Sequence, residues 1–199
     1  MAKRLFDIVF SFGWLVLFLP LMLAVALLVR LRLGAPVLFI QERPGLRGRP
    51  FRMMKFRTMT DARGPDGALL PDAVRLTPFG KFLRSTTLDE FPEMWNVLLG
   101  DMSVVGPRPL LMRYLERYDA FQARRMEVKP GVTGWAQVNG RNAITWDEKF
   151  ALDVWYVDHR TFRLDMKIVV LTFFRVFARS GIDAGEGKTM EEFRGNPKN

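Results

Sequence analysis

Residues 8 to 29 form a run of 22 residues without a charge, interrupted only by Ser11, Gly13 and Pro20. That is long enough for a membrane helix, which needs roughly 20 apolar residues. Whatever else this chain builds, it must build it beside a bilayer. Lys3 and Arg4 flank one end of the run while Arg30 and Arg32 flank the other. Basic residues favour the cytoplasmic side, so the flanks give no direction of crossing and both ends read as cytoplasmic. Pro20, near the middle, removes a backbone hydrogen bond and collides with an earlier carbonyl, which bends a helix. Together these features predict a re-entrant helix over residues 1–32 that enters and leaves one leaflet. A single spanning anchor is the main alternative. A cleaved signal peptide is disfavoured, because the apolar run continues past Ala24-Val25-Ala26.

The remaining chain is long enough for one catalytic-sized domain, expected over residues 33–180, with a loose tail over residues 181–199. With no cysteine there is no thiol nucleophile, thiolate metal site or disulfide, in keeping with a reducing compartment. The net charge of +9 and pI near 10.3 require an acidic partner, whether nucleic acid, an anionic membrane surface or a phosphorylated substrate. Much of the charge lies between Arg30 and Arg63, where nine basic residues face only Glu42 and Asp61. Val37 to Ile40 is a predicted strand and Pro44-Gly45 a turn. In Arg52 to Met59, alternation would place Lys55 and Arg57 on one side of an extended strand, suited to phosphate oxygens or to a solvated or lipid-facing surface. Residues 60 to 78, with Gly64-Pro65-Asp66-Gly67, are a predicted loop.

Two adjacent carboxylates, Asp89 and Glu90, stand at a predicted helix start. Thr87 and Glu90 have capping-box spacing, and Pro92 belongs in a first turn, which places the start near Phe91. A helix N-terminus and Arg84 favour ionised carboxylates, able to attack phosphorus or to hold a hard cation such as Mg2+. Acidic residues are also common in first turns for purely structural reasons. Phe91, Met94, Trp95, Leu98 and Leu99 then recur at helical spacing as a predicted core face ended by Gly100. Pro107 and Pro109 restrict Arg108, either presenting its guanidinium to a phosphate or forming a plain turn. Leu110 to Val128 and Trp146 to Tyr156 are predicted helices, separated by a glycine-rich strand and loop over residues 129–142. Ile168 to Phe177 is a core or interfacial helix too short to span. His159 lacks His or Cys neighbours in sequence and is assigned to the surface or a helix cap. Neither internal repeats nor nucleotide-binding glycine fingerprints occur.

Six pieces in order carry a resemblance over nearly the whole chain: Lys3-Arg4 before the proline-bearing helix; Lys55-Phe56-Arg57-Thr58-Met59; Leu88-Asp89-Glu90 with Trp95-Asn96-Val97; Gly100-Asp101-Met102-Ser103; Pro107-Arg108-Pro109; and Lys129-Pro130-Gly131-Val132-Thr133-Gly134 with Gln137-Val138. The sequence resembles the bacterial sugar transferases, the monotopic phosphoglycosyl transferases, at the compact end of the family. The resemblance implies transfer of a sugar 1-phosphate from a UDP-sugar to undecaprenyl phosphate, at the cytoplasmic face of a bacterial inner membrane, in the first membrane step of glycoconjugate assembly. It implies that Asp89 attacks the sugar-linked phosphate, expels UMP and forms an aspartyl phosphosugar, with Glu90 assisting through a Mg2+ site on Asp89 and Glu90 or by proton transfer. Lys55, Arg57, Arg84, Arg108 and Arg141 become the candidate phosphate contacts, and the segment from Gln137 to Asn142 the candidate for uracil. Family members often carry serine before the helix-breaking proline, where this chain has Leu19-Pro20.

The expected architecture is therefore mainly α with a small β element (α+β): a re-entrant membrane helix and interfacial helices packed on a compact cytoplasmic catalytic domain. The bilayer is an expected partner, nucleic acid is not, and a homodimer is allowed. The rival function is a non-enzymatic, basic, membrane-anchored lipid-binding scaffold, which accounts for charge and apolarity but not for adjacent carboxylates.

Overall fold

The computed structural model describes residues 1–140, 144–177 and 192–195. Helix α1 runs uninterrupted over Ala2–Leu33 with Pro20 inside it, so the proline does not divide it into two helices. At 1.5 Å per residue it is about 48 Å long. An antiparallel hairpin follows, β1 over Leu38–Pro44 and β2 over Pro50–Phe56, with Leu38 opposite Phe56 and Glu42 opposite Arg52. The turn between them uses left-handed backbone at Arg47 and Gly48. Then come the single turn α2 (Asp72–Arg75), α3 (Pro78–Ser85), α4 (Glu93–Leu99) and the short strand β3 (Ser103–Val105). The chain continues through α5 (Ala120–Ala123), β4 (Gly131–Thr133, parallel to β3), α6 (Trp135–Asn139), α7 (Trp146–His159) and α8 (Phe162–Phe177). The fold is mostly helical with two small sheets, as the sequence predicts.

One face of α1 lies against the domain along its whole length. At its start, Lys3 Nζ donates to the Val105 carbonyl (3.0 Å), Tyr156 Oη (3.1 Å) and Asp165 Oδ2 (2.6 Å). Arg4 donates to the carbonyls of Val97 (2.7 Å) and Leu98 (2.8 Å) in the last turn of α4, where helix carbonyls run out of N–H partners within the helix. Buried Asp7 accepts from Ser103 Oγ and the Val104 N–H, both at 3.0 Å. At its end, Val25, Val29 and Leu33 pack on Phe56 and Leu83. The opposite face leaves Leu5, Val9, Phe12, Val16, Leu17 and Leu23 exposed. The helix meets the length and hydropathy needed to cross a membrane, and little of that apolar stretch is buried by protein.

Four expectations need correction. Residues 110 to 128 are not one helix: 3-10 turns at Met112–Arg117 and Arg124–Glu127 flank α5. Asp119 starts α5 with a capping box to Gln122, while Tyr118 stays extended and Arg125 turns inward, so tertiary contacts override the helical pattern. The glycine-rich stretch holds the turn of helix α6 after β4. The predicted core face of α4 is split: Met94 is buried, but Trp95 (48 % exposed) and Leu99 (61 %) face outward, and Val97, outside the predicted face, is buried in their stead. Finally, the segment expected to trail loosely places Phe193 inside the protein, among Tyr114 and Phe150. His159 lies at the surface in the last turn of α7, its ring stacked 4.4 Å from Trp155, as expected.

Candidate active site

Asp89 and Glu90 sit in a 3-10 turn, Leu88–Glu90, just ahead of α4, whose N-cap is Pro92. The predicted capping box does not form. Thr87 is left-handed (φ 61°) and its side chain caps nothing, a backbone conformation that non-glycine residues seldom adopt. The turn is held in place from several sides. Phe91 packs edge-on against Trp14 and Phe18 of α1. Asn96 of α4 accepts from the Met54 N–H (3.0 Å) and donates to the Arg52 carbonyl (2.8 Å), locking α4 to β2 on either side of Met53. Helix α3 approaches so closely that a Cβ on Gly80 would stand 1.8 Å from the Thr58 carbonyl oxygen.

This framework brings Lys55, on β2, to the carboxylates. Its Nζ lies 2.7 Å from Glu90 Oε1 and 2.9 Å from Glu93 Oε1. Arg108, fixed between two prolines, binds Glu90 with both terminal nitrogens. Both Glu90 oxygens are thus taken by cations. Among the described residues, neither oxygen of Asp89 is in an ion pair or hydrogen bond.

The charges of the three acids differ accordingly. Burial raises the Asp89 carboxyl, and the neighbouring Glu90 charge raises it further, to about 6 despite Lys55, Arg84 and Arg108. The expectation that the helix start would favour ionisation of both acids therefore holds for only one of them. Burial works against the charge of Glu90 too, but Arg108 and Lys55 outweigh it and hold that carboxyl below the usual range. Glu93, 2 % exposed, is pushed up to about 7 by burial and by Glu90. Two carboxyls near neutrality beside one that stays ionised is a pattern typical of acid, base and nucleophile chemistry.

Arg84 donates its Nε to Thr58 Oγ1 (3.0 Å) and adds positive field at Asp89. Arg57 is not on the same side as Lys55. Strand β2 ends at Phe56, so the alternation that would align the two is lost, and the Arg57 guanidinium is drawn to the carbonyls of Leu33 and Ala35 and to Asp61. There it satisfies the open C-terminal end of α1. Gln137 donates to the Val132 carbonyl (2.9 Å), and Arg141 lies outside the described residues. Sequence reasoning missed Glu93, whose place in a first turn is commonplace; its distance of three and four residues from Glu90 and Asp89 is the one signal that would have put it on their side.

The family described as bacterial sugar transferase matches residues 1–179. The chain belongs to the bacterial sugar transferases. It is 54 % identical over 194 residues to an uncharacterized sugar transferase, EpsL, of Bacillus subtilis, covering 98 % of this chain and 96 % of the relative. It is 40 % identical over 185 residues (88 % of this chain, 40 % of the relative) to the UDP-glucose:undecaprenyl-phosphate glucose-1-phosphate transferase of Klebsiella pneumoniae. It is also 37 % identical over 187 residues (90 % of this chain, 44 % of the relative) to a UDP-N-acetylgalactosamine-undecaprenyl-phosphate N-acetylgalactosaminephosphotransferase of Aeromonas hydrophila. The chain thus spans less than half the length of these last two sugar-phosphate transferases.

Proposed function

We propose that this protein transfers a sugar 1-phosphate from a UDP-sugar to undecaprenyl phosphate through an aspartyl-phosphosugar intermediate. The observation that carries the reading is the division of labour in the cluster: Glu90 is neutralised by two cations, while Asp89 beside it stays clear of them. In the first step an Asp89 carboxylate oxygen bonds to the sugar-linked phosphorus, the bond from that phosphorus to the bridging oxygen breaks, and UMP leaves with the electron pair. An oxygen of undecaprenyl phosphate then attacks the same phosphorus and releases Asp89. Dividing transfer between two anions into two displacements suits a carboxylate nucleophile. Arg108, Lys55 and Arg84 offset charge on the diphosphate, and Glu90 keeps Arg108 and Lys55 aligned.

A magnesium ion fits this site in one manner. Among the described residues no group of three or more His, Cys, Asp or Glu is placed to hold a metal, and the oxygens of Glu90 are occupied. Asp89 together with the donor's phosphates would hold Mg2+, which commonly uses one or two carboxylates and substrate phosphates. Bound there, it would neutralise charge on the transferring and leaving phosphates.

The bilayer belongs to the same proposal. Both ends of α1 are tied to one body, which favours a re-entrant helix over a spanning one, and the exposed apolar sides of α1, α4 and α8 suit an interface where the lipid acceptor's phosphate meets basic residues. A cytoplasmic face of the bacterial inner membrane is the location this implies, with the product entering glycoconjugate assembly. A non-enzymatic scaffold would place its cations outward; here Lys55 and Arg108 are turned onto buried acids.

The test is intact mass of the detergent- or nanodisc-purified protein with Mg2+ and UDP-glucose, UDP-galactose or UDP-N-acetylgalactosamine, without lipid acceptor. A gain of one sugar phosphate with release of UMP, absent in Asp89→Asn, is expected. No adduct, but UMP once undecaprenyl phosphate is added, would mean direct transfer in a ternary complex. No UMP under either condition would sink the enzyme reading.

A further inference from the structure

The aromatic residues that the transfer chemistry leaves unused gather around the segment Glu192–Gly195. Phe193 is 3 % exposed, its ring 5.0 Å from Phe150, 5.5 Å from Trp146 and 5.7 Å from Tyr114. Its N–H donates to Tyr114 Oη (3.3 Å) and its carbonyl accepts from Arg117. Beside it, the Glu192 carboxylate accepts from Arg113 and Arg117, each at 2.8 Å. A stretch of four residues held by ring burial, two backbone hydrogen bonds and a double ion pair is docked.

The rings that receive Phe193 connect to the carboxylate cluster through Arg125 and Arg108. Tyr118 stacks on Phe193 at 6.0 Å, and its Oη accepts from Arg125 Nη1 (3.3 Å). Phe150 holds Phe193 on one side and the Arg125 guanidinium, 5.8 Å from its centroid, on another. Arg125, buried and paired with Asp153, donates Nη2 to the carbonyl of Arg108 (2.7 Å). The Arg108 guanidinium in turn grips Glu90. Each link is a direct contact between fixed groups, so loss of Phe193 frees two rings, then the buried arginine they confine, then the backbone of Arg108.

We infer that residues 192–194 form a C-terminal latch in which Phe193 is a positioning residue, setting Arg108 for the donor diphosphate through Tyr118, Phe150 and Arg125. The inference rests on the reading of Arg108 as a phosphate-binding group. Coupling through such a chain of packed side chains is a claim that a double-mutant cycle can decide.

In the full-length chain, Phe193→Ala, Phe193→Leu, Arg117→Gln, Arg108→Lys and Phe193→Ala/Arg108→Lys are compared with the unaltered protein by UMP release and by hydrogen exchange of the peptide spanning residues 104–112. Phe193→Ala is expected to raise KM for the UDP-sugar about tenfold with a smaller change in kcat, Phe193→Leu to restore most of it, and Arg117→Gln to move it in the same direction. In the Arg108→Lys background, Phe193→Ala should add nothing, and exchange of the 104–112 peptide, whose Gly106 N–H is hydrogen-bonded to the Thr133 carbonyl, should quicken in Phe193→Ala. Unchanged KM, or effects that simply multiply in the double variant, would overturn the latch. If Phe193→Ala fails to fold, Arg117→Gln and Phe193→Leu in the same cycle decide the matter. An unaltered protein that releases no UMP from any donor would refute the transferase reading alone, because unchanged exchange of the 104–112 peptide in the variants would still overturn the latch and faster exchange would support it.

Discussion

At the scale of the residue, the cluster places a neutral-range carboxyl next to one that stays ionised, and the pH dependence follows. In the proposed mechanism Asp89 attacks only as the carboxylate. With its carboxyl raised to about 6, kcat/KM for the donor should climb about tenfold per pH unit below 6 and level off near 7, where Glu93 also titrates. A rate flat from pH 5 to 8 would contradict the assignment. Stability runs the other way. Because the folded carboxyl holds its proton more tightly than an unfolded one, with an ordinary value of 3.8, folding stability falls as pH rises from about 4 to about 6. Asp89→Asn removes that penalty. It should abolish turnover yet raise Tm at pH 8, by on the order of 2 kcal/mol of stability, with the gain vanishing by pH 4. Asp89, Glu90, Lys55 and Arg108 were legible in the sequence as motif residues. Arg57 was not, because nothing local says that a strand stops at Phe56 or that the end of α1 needs its guanidinium.

At the scale of the element, apolar runs and helical spacing located α1, α4, α7 and α8 and the hairpin strand β1, since each keeps one pattern over enough residues to be read. Helical pattern failed at residues 110–128, where the sequence mixes apolar and basic residues as an amphipathic helix would, but Arg125 is buried instead of solvated and Tyr114 is buried against Phe193. Long-range partners, Asp153 and Phe193, decide that outcome, and neither is visible locally. Close approach of elements is equally silent in the sequence. Helix α3 can present Arg84 to Thr58 only because Gly80 has no side chain. Gly80→Ala would drive its Cβ into the Thr58 carbonyl at 1.8 Å, costing about 2 kcal/mol as the helix is pushed away. Turnover should fall with it, since Arg84 moves off. Thermal unfolding and UMP release in the same preparation check this, and an unaltered Tm would mean the two elements are less tightly apposed than described.

At the scale of the whole molecule, the arrangement of α1 governs how the protein would meet the proposed lipid acceptor. Lys3 and Arg4 at its start are hydrogen-bonded to β3, α4, α7 and α8, while Leu33 at its end is hydrogen-bonded by Arg57. A helix that crossed the bilayer would have to break one set of these contacts: losing the first strips buried Asp165 of its Lys3 ion pair and Asp7 of the Ser103 hydroxyl and Val104 N–H, at a cost of about 3 kcal/mol or more, and losing the second leaves the buried Arg57 guanidinium without the Leu33 carbonyl. Retaining both sets would keep both ends on one side, with the exposed Leu5, Val9, Phe12 and Val16 toward lipid, as the proposal requires. The absence of cysteine makes this directly measurable. In intact cells, single cysteines at Ala2→Cys and at Asp66→Cys, the latter in an exposed turn, should both resist a membrane-impermeant maleimide and both react after lysis. Labelling at residue 2 alone before lysis would show that α1 spans the membrane, and the contacts of Lys3, Arg4 and Asp7 could not then exist in the membrane-bound protein.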